Sequence, residues 1–334
     1  MATAILGLDI GGANLKAATA EKRAHSVVFP LWKQPGELPH AIAELVAHFP
    51  ETDTLAVTMT GELCDCFATK RDGVNTILAA VEHAARGKSV RVWSTTGEFI
   101  SVEAARANHM NVAAANWHAL ATFAGRFASR HGAMLLDIGS TTTDLIPLND
   151  GWPSTYGTTD AKRLERQELV YIGVRRTPVC AVVQDRVCAE FFATLEDVYT
   201  LLGLLPEASN NLDTADGRPM SVEFCFARLA RMLGGDRETH TDDQIIHFAA
   251  RVHSTIRQRI AEAARAAYYG SQSAPELHAV IVSGAGEFLA RQVAGVAFPA
   301  IGERQIVSLT AELGPEVSAC APAYAVAVLA KESE

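Results

Sequence analysis

Two short apolar runs open the chain on either side of a glycine-rich turn. "TAILGLD" and "LKAATA" flank "IGGAN" (residues 10 to 14), and the pattern reads as strand, tight turn, strand. "SVVFPLW" supplies a third strand. Ile42, Leu45, Val46 and Phe49 then recur at helical spacing. "TLAVTMT" has the continuous apolar character of a buried strand, a helix falls within Val74 to Arg86, and "SVRVW" adds another strand. The order is β-β-β-α-β-α-β. Residues 101 to 130 read as one long helical region whose stripe is Leu120, Phe123, Ala124 and Phe127.

The pattern then restarts. "AMLLDIGSTTTDLIPL" is again strand, glycine turn and strand, and "ELVYIG" supplies a third strand. Ile245, Phe248, Ala249, Val252, Ile256 and Ile260 mark a helix across residues 244 to 266. "HAVIVSG" is a strand, "EFLARQVA" a helix, "RQIVSL" a strand and "APAYAVAVLAKE" a closing helix. "LDIGGANLK" (8 to 16) therefore aligns with "LDIGSTTTD" (136 to 144), and "VTMTGE" (57 to 62) with "VIVSGAGE" (280 to 287). A repeat of this kind fixes architecture. It predicts an α/β protein of two duplicated β-β-β-α-β-α lobes: residues 1–115 form the first lobe, 116–172 with 241–334 the second lobe and its crossing helices, and 173–240 an insertion in the second.

Composition narrows the partners. The 334 residues carry a formal net charge of −9, which argues against a nucleic-acid or anionic-membrane surface. The longest apolar segment, "ACAPAYAVAVLA", is too short to cross a bilayer. Nothing at the amino terminus resembles a signal peptide, so the expected location is the cytoplasm. Six cysteines show neither zinc spacing nor a secreted disulfide pattern. Cys64 and Cys66 form a C-x-C pair without further ligands nearby, and the eleven histidines form no H-x-x-x-H group.

Two hairpins that each join an aspartate to a donor-rich glycine turn point to phosphate binding. The candidate donors are Gly11, Gly12 and Asn14 in the first loop and Gly139, Ser140, Thr141 and Thr142 in the second, with Gly284 and Gly286 in a third glycine turn. Thr60, Gly61 and Glu62 end a strand at the level where open α/β sheets bind ligands. Arg175 and Arg176 suit a carboxylate or diphosphate. "DTADGR" departs from an EF-hand loop; it leaves Asp213 or Asp216 as a partner for a substrate amine.

These loops resemble those of the acetate and sugar kinase, Hsp70 and actin superfamily, whose actin-like, ribonuclease H-like ATPase lobes grip phosphates from both sides of a cleft. More narrowly, "DIGGANLKAA", "TMTGELCDCF", "LLDIGSTTTDLIPL", "ELVYIGVRRTPV", "EFFATLEDVY" and "TADGRP" resemble the short hydantoinase/oxoprolinase-like proteins of tetrahydromethanopterin-linked one-carbon metabolism. That resemblance implies a transferase of methanofuran assembly. It joins an aminomethylfuran diphosphate to a tyramine-type phenol and releases diphosphate. Such chemistry suits Mg²⁺ on Asp9 and Asp137, charge neutralisation by Lys16, and Glu62 or Asp144 as candidate acceptor of the phenol proton. ATP is admitted but not required. The residues leave open an ATP-dependent kinase, a hydantoinase/oxoprolinase-like amidohydrolase, and a nucleotide-gated actin-like scaffold. A small phosphorylated molecule is the expected partner, and self-association is left open.

Overall fold

The computed structural model describes residues 4–128, 131–183, 185–270 and 275–334. The first lobe is built on β1 (Ile5–Ile10), β2 (Asn14–Thr19), β3 (Ala24–Val28), β4 (Thr54–Met59), β5 (Ser89–Trp93) and β6 (Phe99–Ile100). They form one sheet in the order β3-β2-β1-β4-β5-β6. β1 and β4 are buried at every position, as their continuous apolar runs require of central strands. Helices α1 (Leu38–Ala47) and α2 (Lys70–Ala85) pack on one face. β3 ends at Val28, earlier than the sequence suggests, because Phe29 and Leu31 turn inward to the core.

Residues 101 to 130 are not one long helix. They are divided into α3 (Val102–Ala107), α4 (His109–Val112) and α5 (Asn116–Ala124), followed by a short 3-10 turn; residues 129 and 130 lie outside the described residues. Asn108 closes the first piece with its side-chain amide on the carbonyl of Ala104. The second piece ends where Ala113 is extended and Ala114 takes a φ of 49°, a left-handed conformation that no helix continues through.

The second lobe repeats the plan with β7 (Gly132–Ile138), β8 (Thr143–Asn149), β9 (Trp152–Pro153), α6 (Asp160–Glu165) and β10 (Leu169–Val170). The "ELVYIG" strand is thus only two residues long. There follow α7 (Val179–Val182), α8 (Leu195–Leu201), α9 (Val222–Met232), α10 (Asp242–Tyr269), β11 (Leu277–Ser283), α11 (Glu287–Ala297), β12 (Ile306–Ser308), α12 (Leu309–Leu313), α13 (Pro315–Ala319) and α14 (Ala321–Glu332). The second sheet runs β10-β8-β7-β11-β12. Residues 173–240 share a core with this lobe: Leu195, Val198 and Tyr199 of α8 and Leu229 of α9 pack with Val252 and Ile256 of α10.

A third core holds the halves together. α5 and α14 lie between the sheets, and their Trp117, Leu120, Phe123, Ala325 and Val326 pack with Leu135 and Ile146 of the second sheet and Ile5 of the first. α14 crosses β1 so closely that a Cβ added to Gly7 would stand 1.9 Å from the carbonyl oxygen of Ala323. Only glycine permits that approach. No helix among the described residues is long and apolar enough to cross a membrane.

Candidate active site

The two aspartate–glycine hairpins face one cleft of about 1070 Å³. In the first, Asp9 pairs in register with Lys16 across β1 and β2; in the second, Asp137 pairs with Asp144 across β7 and β8. Each turn is closed by the same bond. The amide of Gly11 donates to the carbonyl of Asn14 at 3.0 Å, and that of Gly139 to the carbonyl of Thr142 at 2.8 Å. Gly11 and Gly139 therefore shape the loops instead of offering their amides to a ligand, which corrects the expectation for both. The donors that remain include the amides of Gly12, Ser140 and Thr141, which have no backbone acceptor among the described residues, and the three loop hydroxyls.

Neighbouring segments hold the loops in place. Thr60 and Gly61 both donate their amides to the carbonyl of Ile10. The amides of Arg175 and Arg176 donate to the carbonyl of Ser140 at 3.1 and 2.9 Å. A Cβ at Gly173 would stand 2.3 Å from the amide nitrogen of Thr141, so this position must stay bare. Of the sequence-expected residues, Asp9, Gly11, Gly12, Asn14, Lys16, Thr60, Glu62, Asp137, Gly139, Ser140, Thr141, Thr142, Asp144, Gly284, Arg175 and Arg176 line the cleft. Gly61, Gly286 and Asp216 do not. Gly61 abuts Gly11 and Leu31, while Gly286 sits against Ile138 and Val174 and donates its amide to Ile138. Asp216 is held by Arg228 at 2.9 Å, Arg218 at 3.2 Å and Arg231 at 3.6 Å, so its charge is already neutralised within the insertion.

Charge in the cleft is unevenly satisfied. Asp9 is 5% exposed and its Oδ1 has no hydrogen-bond partner; burial raises its pKa, with Lys16 opposing. Lys16 is half-buried and, among the described residues, has no ion-pair partner. Burial and the charge of Asp144 push Asp137 up to about 7, against the opposing influence of Ser283 and Lys16. Asp144 differs because Arg163, itself 1% exposed, reaches it at 2.9 Å. Burial still raises the pKa of Asp144 more than that arginine lowers it. Glu62 is 1% exposed, with Lys70 Nζ 3.7 Å from Oε1 and nothing bonded to Oε2, and burial raises its pKa too.

Several of these neighbours escape motif reading. Thr69 caps α2 through the amide of Asp72, placing Lys70 at the first helical position, where it bonds Asp160 of the other lobe at 2.9 Å. Thr159 caps α6, and Asp160 and Arg163, three residues apart, share a helix face toward the cleft. Arg163 also donates to the carbonyl of Glu168 and lies 4.0 Å over the ring of Trp117. The cap residues Thr69 and Thr159 are the only sequence signals for this group.

The carboxylates suit a hard divalent cation. Magnesium takes one or two carboxylates and fills its shell with phosphate oxygens and water. The bare, buried Oδ1 of Asp9 and the neighbouring Asp137 offer that set, although no three His, Cys, Asp or Glu side chains among the described residues form a metal cluster of their own. Arg175 is paired with Glu196, leaving Arg176 the less committed arginine of that pair. The third glycine turn is divided: Ser283, Gly284 and Ala285 face the cleft, whereas Glu287 accepts from the hydroxyl and amide of Thr310 and the hydroxyl of Ser308.

The family model for hydantoinase/oxoprolinase proteins matches residues 53–333. The chain belongs to the hydantoinase/oxoprolinase family. This hydantoinase/oxoprolinase-family chain is 35% identical, over 339 residues and 97% of both chains, to a Methanocaldococcus jannaschii protein named (4-{4-[2-(gamma-L-glutamylamino)ethyl]phenoxymethyl}furan-2-yl)methanamine synthase. Among solved structures it is similar to the PilM-PilN type IV pilus biogenesis complex, at a TM-score of 0.50 and 13% identity, covering 100% of this chain and 99% of that one. Nucleotide-free acetone carboxylase gives the same score and identity, covering 88% of this chain and 49% of that one. At such identities the likeness shows the fold alone, and the fold is the two-lobed actin-like α/β architecture.

Proposed function

We propose that this chain is a diphosphate-releasing synthase that joins an aminomethylfuran to a tyramine-type phenol through an ether. The methylene–oxygen bond of a furfuryl diphosphate breaks, the phenol oxygen bonds to the methylene carbon, and the phenol proton is lost. The observation that carries the reading is the pair of aspartate–glycine hairpins lining one cleft, with Lys16 in the same cleft and without an ion-pair partner among the described residues, in a chain that matches the archaeal synthase along nearly its whole length.

Each step has a residue suited to it. The amides of Gly12, Ser140 and Thr141 and the hydroxyls of Ser140, Thr141 and Thr142 hold diphosphate oxygens. Lys16 meets the charge that grows on the leaving group. Asp9 and Asp137 would hold Mg²⁺, which supplies further neutralisation of diphosphate when bound. A furfuryl carbon spreads positive charge onto the ring oxygen, so the protein mainly orients the phenol and excludes water. Glu62 takes the phenol proton: its Oε2 is bare and burial makes it more basic, whereas Asp144 is already committed to Arg163.

The test is incubation with Mg²⁺, the aminomethylfuran diphosphate and 4-[2-(γ-glutamylamino)ethyl]phenol. Diphosphate is followed by an enzyme-coupled assay and the ether by mass spectrometry. Stoichiometric ether and diphosphate are expected. ADP release from ATP with no ether would overturn the proposal.

A further inference from the structure

A second cavity, of about 460 Å³, opens beside the phosphate cleft. The two share Asn14, Trp32 and Arg176 among their lining residues, so one elongated molecule can occupy both. The annex has two chemically distinct parts. Val28, Pro30 and Leu212 make an apolar wall, with Val28 and Leu212 85% and 56% exposed. Lys33, Arg176 and Asp213 supply two cations and one anion.

Trp32 organises the cations. The Arg176 guanidinium lies 4.8 Å from its ring centroid and Lys33 Nζ 5.8 Å, so both positive groups gather at one indole without being neutralised by an ion pair among the described residues. Asp213 lines the same annex. Its amide donates to the side-chain carbonyl of Asn211, which fixes the loop, and its carboxylate has no ion-pair partner among the described residues. This separates it from Asp216 three residues on, which three arginines hold. A pocket lined by two cations and a carboxylate, none of them ion-paired among the described residues, beside an apolar wall is complementary to an amino-acid head, carboxylate and ammonium together, on a less polar tail.

We propose that the annex is the subsite for the γ-glutamyl head of the phenol acceptor: Lys33 and Arg176 receive its α-carboxylate, Asp213 its α-ammonium, and Val28, Pro30 and Leu212 the linking chain. The inference rests on the ether-forming reading for the identity of the acceptor, and it adds what selects that acceptor. With the head in the annex and Asn14 at the junction, the phenol end points to the twin loops.

Binding is measured by calorimetry on the full chain, with Mg²⁺ and diphosphate present, using 4-[2-(γ-glutamylamino)ethyl]phenol, its N-acetyl derivative and tyramine. The wild type is expected to bind the γ-glutamyl phenol at least about tenfold more tightly than the other two. Asp213→Asn and Lys33→Gln, both at exposed positions, each remove most of that preference and leave tyramine binding where it was. Equal binding of all three ligands by the wild type, no binding of the γ-glutamyl phenol, or equal weakening of every ligand by Asp213→Asn would overturn the proposal. The readout needs no turnover. Intact discrimination without ether formation therefore counts against the reaction and for the subsite, while ether formation without discrimination counts against the subsite alone.

Discussion

Asp137→Asn is expected to stabilise this protein while abolishing its activity, and the size of the gain should depend on pH. Asp137 sits half-buried at the floor of the cleft, and burial together with Asp144 raises its pKa from 3.8 to about 7. A carboxyl whose folded-state pKa is raised holds its proton longer in the native chain than in the unfolded one. Stability therefore falls as pH rises from about 4 to about 7, and above 7 the full penalty is present. Each pH unit across that window is worth about 1.4 kcal/mol, giving a ceiling of about 4 kcal/mol. Solvent in the cleft screens the group, so a gain of roughly 2 kcal/mol is the working expectation. Urea unfolding of wild type and variant, with chelator to keep Asp9 and Asp137 metal-free, should show that gain at pH 8 and almost none at pH 4. A variant no more stable than wild type at pH 8, or equally stabilised at both pH values, would refute the reasoning.

Arg163→Met should be among the most damaging substitutions in the cleft wall. It strips Asp144 of its 2.9 Å partner and should cost about 3–5 kcal/mol in chemical denaturation, most of it recovered when Asp144→Leu is added. Gly284→Ala combines a φ of 90° with a Cβ 2.3 Å from the carbonyl oxygen of Ile138 and 2.6 Å from Asp137 Oδ1; diphosphate binding by calorimetry should drop at least about tenfold, with a loss of about 1–3 kcal/mol in stability. Lys70→Met removes the 2.9 Å bond to Asp160 that spans the cleft. Small-angle scattering should report a wider separation of the lobes, and because the buried Glu62 also loses its cation at 3.7 Å, unfolding free energy should fall by about 1–3 kcal/mol.

The duplicated plan was legible because each lobe depends on the same local requirement, a tight turn between two central strands, and that requirement leaves D-I-G in both. The site was legible where it is carried by those turns: Asp9, Lys16, Asp137 and Asp144 come into one cleft because each hairpin brings its paired residues to the same level. It was not legible where lobes meet. Lys70, Asp160, Arg163 and Trp117 acquire their surroundings only from elements far away in sequence, and no spacing announces that. Asp213 and Asp216 looked equivalent in "TADGR" and its flanks. Arg228 on α9 separates them, taking Asp216 into the interior of the insertion and leaving Asp213 at the mouth of the annex. The long helix expected over 101–130 failed for a backbone reason, since the left-handed φ at Ala114 has no signature in an alanine-rich run.

The crossing of α14 over Gly7 has a consequence for biosynthesis. The sheet made first by the ribosome keeps one face without its cover until residues 321–332 have emerged, since α14 packs on β1, β2 and β4. The amino-terminal half therefore cannot mature as a self-sufficient unit during translation, and its apolar strands wait for a helix made some three hundred residues later. Shortening the chain by that single helix would leave a sticky, half-clothed sheet and a nascent protein dependent on chaperones.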